Sequence, residues 1–357
     1  MSEHPYRNLP FYAFWNRSMA GVPMDEVDPV VKAAFQIHKS DKVATAGSCF
    51  AQHIARHLQQ NGFNYFIAER EHPITPPHLM SLFNYRTFSA RFGNIYTARQ
   101  LLQLFRRAYD QFQPQDDVWL HNKGYYVDAF RPQIQPGGFL TKQELLLDRK
   151  QHLRSVRQMF EQLDVFIFTL GLTECWFSKV DGAVYPLCPG VAGGEFSSDQ
   201  YEFVNLGVDE VVEDMLAFIK LLRGVNSKSK IVLTVSPVPL IATAEDQHVL
   251  VSTAYSKAVL RVAAEQIVRK ANDTAYFPSY EIITGNHSCG SYFAPDLRSV
   301  QERGVQHVMR LFLKYYAGCL VNETNPVKGE EAFPTDGHTS KMMELVEVNC
   351  DEIALEG

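Results

Sequence analysis

An α/β protein built on a parallel sheet is what this sequence of 357 residues predicts, and three observations predict it. The runs Asp164-Val165-Phe166-Ile167-Phe168-Thr169-Leu170 and Lys230-Ile231-Val232-Leu233-Thr234-Val235-Ser236 are continuously apolar rather than alternating, as strands covered on both faces are. Amphipathic stretches at residues 142–163 and 208–222 precede them, so helices alternate with strands. Residues 42–46 form a third β-type run, which passes through Gly47-Ser48 into Phe50, Ile54 and Leu58 at helical spacing and stops at Gly62. In such sheets ligands meet the carboxyl ends of the strands.

The remaining elements follow in order. Residues 1–40 hold Tyr6, Phe11, Tyr12, Phe14 and Trp15 and read as a wrapping arm ending in a short helix. Residues 63–68 predict a second strand, completing a βαβ opening. Residues 69–163 read as an insertion over one sheet edge: a loop with Pro73, Pro76 and Pro77, a helix at 98–112, a hairpin-like aromatic region at 119–139 and the helix 142–163. Residues 175–205 predict a loop with strand content, 252–271 a helix, 275–281 a last strand and 299–316 a closing helix. The main domain thus spans 41–318, and residues 319–357 read as a polar tail.

A hydrophobic fraction of 46% and a charged fraction of 21% suit a globular chain with a sizeable core. The net charge of −6 offers no basic field for nucleic acid. The N-terminus lacks the basic-then-apolar layout of a secretory signal and no run approaches the ~18 apolar residues of a membrane span, so a cytoplasmic location is expected. The six cysteines form no C-x-x-C pair and predict reduced thiols, with neither a zinc site nor a disulfide scaffold. No metal or cofactor is expected, and the oligomeric state is not readable from the sequence.

The chemistry centres on Gly47-Ser48. Glycine permits a tight strand-to-helix turn, and a helix N-terminus aims N–H groups at negative charge developing on a substrate oxygen. Ser48 there is placed to attack a carbonyl. The structural alternative is that Ser48 only caps the following helix. Cys49 is a rival nucleophile or a small buried apolar residue.

The stretch Ala46-Gly47-Ser48-Cys49-Phe50-Ala51 resembles the signature of the GSCFA-domain family, a bacterial group placed with SGNH-type hydrolases and acyltransferases. Gly93-Asn94-Ile95-Tyr96-Thr97, Thr169-Leu170-Gly171-Leu172-Thr173-Glu174, Thr234-Val235-Ser236-Pro237-Val238, Tyr255-Ser256-Lys257 and Tyr276-Phe277-Pro278-Ser279-Tyr280-Glu281 resemble the same family in order. The resemblance implies a flavodoxin-like three-layer α/β/α sandwich and a serine esterase or O-acyltransferase with Ser48 as nucleophile. Its substrate would be a small molecule, a glycan or a polysaccharide precursor, and acyl-CoA would be a fitting donor in the cytoplasm. The resemblance further places Gly47, Cys49, Gly171 and Thr173 or Glu174 around the oxyanion, although an ionised Glu174 has no proton to donate. It also implies an Asp-x-x-His element after the last strand. Here Asp296 is present, but Arg298 and Ser299 stand where that histidine would be sought.

The base therefore has to come from elsewhere, and His248, in the loop after Ser236-Pro237-Val238, is the first choice. Arg298 either clamps a carboxylate or phosphate of the ligand or pairs with Asp296 or Glu281. His53 and His57, one turn apart, match metal-ligand spacing as well as a surface or packing role. His72 and His287 are candidates for a pocket rim, Trp176 and Phe177 for a sugar-stacking wall or core, and Asp336-Gly337-His338 pairs an acid with a base in the tail. Tyr255-Ser256-Lys257, on a predicted helix, either faces the site or presents Lys257 to solvent, where a helical lysine usually sits. A second class stays open: a non-catalytic protein that binds an acidic or carbohydrate ligand through Arg298 and Lys257.

Overall fold

The computed structural model describes residues 4–317 and 354–355. The arm consists of short turns, 3₁₀ at Pro5–Asn8, Phe11–Ala13 and Met24–Glu26 with α1 at Trp15–Ser18 between them. Its end sinks into the body through buried Val30 and Ile37. The body then runs β1 (Val43–Gly47), α2 (Phe50–Gln60), α3 (Pro77–Leu82), α4 (Ala98–Ala108), β2 (Val118–Leu120), β3 (Tyr126–Asp128), α5 (Lys142–Gln162) and β4 (Val165–Leu170). There follow β5 (Glu174–Ser178), β6 (Val184–Tyr185), β7 (Tyr201–Asn205), α6 (Val208–Val225), β8 (Lys230–Val235), α7 (Val249–Lys270), β9 (Thr274–Tyr276), α8 (Ser279–Thr284) and α9 (Glu302–Tyr316).

The central sheet is parallel, in the order β1-β4-β8-β9. Val43 pairs with Val165, Val165 with Lys230 and Val232 with Ala275. The two faces of each strand supply two cores, because successive side chains point to opposite sides. Ala44, Phe166, Phe168, Leu170, Ile231 and Leu233 join buried residues of α4 to α7. Val43, Val165, Ile167 and Val232 join buried residues of α2, α8 and α9. Helices therefore flank the sheet on both faces.

Four of the sequence expectations are refined. Residues 63–68 make one parallel bridge, Tyr65 to Val43, rather than a regular strand. The pairing stops because the next donor along β1, the Thr45 N–H, is taken by the Ser89 hydroxyl at 3.0 Å. The expected last strand, 275–281, ends at Tyr276: Phe277 still donates its N–H to the Leu233 carbonyl at 2.8 Å, but the Ser279 N–H turns back to the Phe277 carbonyl and the Ser279 hydroxyl takes the Val235 carbonyl at 3.1 Å, and α8 begins at Ser279. Residues 175–205 form an antiparallel three-stranded sheet, β6-β5-β7. Within 69–163, β2 and β3 form the expected hairpin, while Leu101 and Phe105 of α4 and Val156 and Phe160 of α5 lie in the main core. No helix among the described residues is long and apolar enough to cross a membrane.

Candidate active site

Three consecutive strands of the sheet deliver one residue each to the same place. Ser48 follows β1, Gly171 follows β4 and Ser236 follows β8, and all three border a narrow cleft with Cys49, Tyr96, Leu172, Val238, Pro239, Leu240 and Lys257. Its free space is about that of one water molecule.

Gly47 sets the turn. Its φ of +143° lies where side chains strain the backbone, and a Cβ would stand 2.5 Å from the Thr169 carbonyl oxygen of the neighbouring strand. Only glycine lets β1 turn this close to β4. Gly171 answers it from the other side: a Cβ there would sit 3.1 Å from Ser48 Cβ and 3.0 Å from the Tyr96 carbonyl. Between the two glycines Ser48 is held 4% exposed, and its Oγ has no hydrogen-bond partner among the described residues. Ser48 is not a cap. The N-cap position of α2 belongs to Cys49, and no side chain caps that helix. Amphipathic packing of Phe50, Ile54 and Leu58 fixes α2 against the sheet, so its N-terminal dipole stays aimed at the cleft.

The donors expected around an oxyanion are otherwise engaged. The N–H groups of Gly171 and Leu172 both point to the Tyr96 carbonyl, at 3.0 and 3.2 Å. Thr173, fully buried, donates its N–H to Ser256 Oγ at 3.0 Å and its hydroxyl to Asn205 at 2.6 Å, leaving no donor for a substrate. Glu174 turns away from the cleft and accepts from the Thr243 hydroxyl at 2.7 Å and the Ala244 N–H at 3.3 Å. Burial raises its carboxyl above the ordinary range, which those two bonds only partly offset.

The acid-base candidates also lie outside the cleft. His248 is exposed, and its Nδ1 accepts the Leu250 N–H at 3.1 Å, which makes it the N-cap of α7. Asp296 is exposed and folds its own loop, accepting from the N–H groups of Arg298 and Ser299 at 3.0 Å and from the Ser299 hydroxyl at 2.5 Å. Its slight burial favours the neutral acid, but these bonds prevail and hold the carboxyl below its usual value. Arg298 is half-buried in that loop, away from the residues bordering the cleft.

The other expectations resolve as follows. Burial, with Arg56 and His57 nearby, lowers His53 to about 4, and His57 faces Glu302 at 3.3 Å. Among the described residues no three His, Cys, Asp or Glu side chains gather as metal ligands. Trp176 packs against Phe196 and Phe203, and the Arg99 guanidinium lies over Phe177. His72 accepts the Ile74 N–H at 3.4 Å, and His287 sits on a 3₁₀ turn after α8. Asp336-Gly337-His338 falls outside the described residues.

Two neighbours of Ser48 escape reading by spacing alone. Tyr96 is buried and its carbonyl latches the loop after β4. Lys257 is 2% exposed rather than at the solvent face, and its Nζ donates to the Gly171 carbonyl at 2.5 Å. The signal was local: Ser252, Ser256, Leu260, Ala263 and Ala264 make a small-residue face on which α7 packs closely, and Lys257 lies beside it.

The model of the GSCFA family matches residues 42–312, more than half of the chain and the whole of the cleft. No curated protein matches it.

Proposed function

The chain belongs to the GSCFA family, and on that premise we propose that it is a serine acyl-transfer enzyme of SGNH type, an esterase or an O-acyltransferase. One observation carries the reading: a buried hydroxyl at the mouth of three parallel strands that neither caps a helix nor bonds to any described group. Buried polar groups are nearly always satisfied, and an exception calls for a reason such as catalysis.

Topology supports it. With the Tyr65 bridge counted as an edge, the spatial order of the five segments is second, first, third, fourth, fifth, the flavodoxin-like doubly wound arrangement. Ser48 then stands where the order reverses, the usual ligand position in such sheets.

Ser48 Oγ forms a bond to the acyl carbon, and the carbonyl electron pair moves onto oxygen. The uncapped N-terminus of α2 faces that charge. The leaving alcohol or thiol departs, and the acyl group passes from Ser48 to water or to a sugar hydroxyl. With a cytoplasmic location, an acyl-CoA donor and a glycan acceptor fit this scheme.

The test is covalent labelling with an alkyl fluorophosphonate, followed by peptide mass mapping. A single adduct on Ser48, absent from Ser48→Ala, is the expected result. An unlabelled Ser48 in folded protein would sink the reading.

A further inference from the structure

We propose that Lys257 is the proton acceptor for Ser48, so that the catalytic unit is a Ser-Lys pair. The inference rests on Ser48 being the nucleophile and supplies the group that reading lacks.

Geometry carries it. Lys257 and Ser48 border the same cleft, whose free space matches one water. Gly171 links them: its carbonyl holds Lys257 Nζ at 2.5 Å, and its Cα side faces Ser48 Cβ so closely that an added methyl would stand 3.1 Å away. Lys257 and Ser48 thus face a shared space of about one water, and a single bridging water is a path by which a general base acts. The anchoring leaves it competent. A neutral amine that donates one N–H to a carbonyl keeps its lone pair.

Chemistry narrows the choice. Besides Lys257, the ionisable residues bordering the cleft are Cys49 and Tyr96, whose proton-accepting forms are anions, whereas that of lysine is a neutral amine. Glu174 is occupied by Thr243 and Ala244, and His248 by its own helix. Lys257 is 2% exposed, and buried lysines are the ones that serve as general bases. Serine paired with lysine recurs on unrelated folds.

The step balances. As Oγ bonds to the acyl carbon, its proton passes to Nζ, making an ammonium. Collapse of the tetrahedral adduct breaks the bond to the leaving oxygen or sulfur, which takes the proton back from Nζ. The acceptor hydroxyl then gives its proton to the regenerated amine as it attacks the acyl-serine, and the cycle closes with Ser48 Oγ reprotonated.

The experiment compares rates of Ser48 labelling by an alkyl fluorophosphonate for the wild type, Lys257→Met and Lys257→Arg, each checked for folding by circular dichroism. Both variants should label at least ~100-fold more slowly, the range for loss of a general base. Arginine must fail as well, because it keeps charge and length but does not give up its proton. The wild-type rate should rise tenfold per pH unit and then level off. Full labelling of Lys257→Arg, or a flat wild-type profile, overturns the base role while leaving Ser48 standing. A wild type that does not label removes Ser48 itself, and Lys257 with it. If neither variant folds, the wild-type pH profile decides alone.

Discussion

Around Asp128, which has no exposed surface, each oxygen of the carboxylate is answered. Arg131 donates to Oδ2 at 3.0 and 2.9 Å, Arg149 at 3.2 Å, and the Phe130 N–H to Oδ1 at 3.0 Å. Arg131 also reaches Asp148 at 2.7 Å. Around Ser48, 4% exposed, the hydroxyl finds no partner among the described residues. Both regions are buried and polar, yet they obey different constraints. A buried charge without a partner costs several kcal/mol, so Asp128 and its arginines must balance where the hairpin β2-β3 meets α5, beside the apolar cluster of Ile134, Phe139 and Leu145. Burial alone would push the Asp128 carboxyl up; Arg131, Arg149 and Arg107 reverse this and hold it far below the ordinary carboxylate range. A buried neutral hydroxyl costs about 1–3 kcal/mol when unpaired. The fold tolerates that cost at Ser48 and keeps a reactive oxygen uncommitted. The first region is held by balanced charge; the second is where we propose that the chemistry lies.

Breaking the first region should produce the largest effect. Asp128→Asn keeps the shape but leaves Arg131 only Asp148 and Arg149 only Asp117 as partner carboxylates, and unfolding free energy should fall by about 3 kcal/mol in denaturant titrations. Ser48 labelling of the folded fraction should persist, since the cleft draws none of its bordering residues from this cluster. Parallel loss of labelling and stability would show that the two regions are not separate.

A smaller effect is expected at His248. Its ring nitrogen is spent on the first turn of α7, so His248→Ala should cost about 1 kcal/mol as a lost cap and leave the labelling rate of Ser48 within about twofold. A hundredfold slowing would return His248 to the mechanism and displace Lys257.

How much of this was legible in the sequence follows the same division. Val165–Leu170 and Lys230–Val235 announced themselves because strands covered on both faces must be apolar throughout. The turn at Gly47 was legible because a strand, a glycine and an amphipathic helix leave little choice of geometry. Residues 63–68 misled because β-type composition does not reveal that Ser89, 44 residues away from Thr45, takes the ladder donor. The surroundings of Ser48 were least legible for a related reason. The family resemblance placed Thr173 and Gly171 near the serine but could not show that Ser256, Asn205 and Tyr96 already bind their donors. Lys257 read as solvent-facing because a helical lysine usually is. Its burial depends on how closely the small residues of α7 let that helix approach the loop after β4.

The smallest predicted effect is the most direct test of the central claim, that the Ser48 hydroxyl is held for reaction rather than for structure. In denaturant unfolding, Ser48→Ala should match or exceed the wild type in stability, because it removes an unpaired buried hydroxyl and no cap. A loss of about 1–2 kcal/mol, the signature of a removed helix cap, would contradict the account.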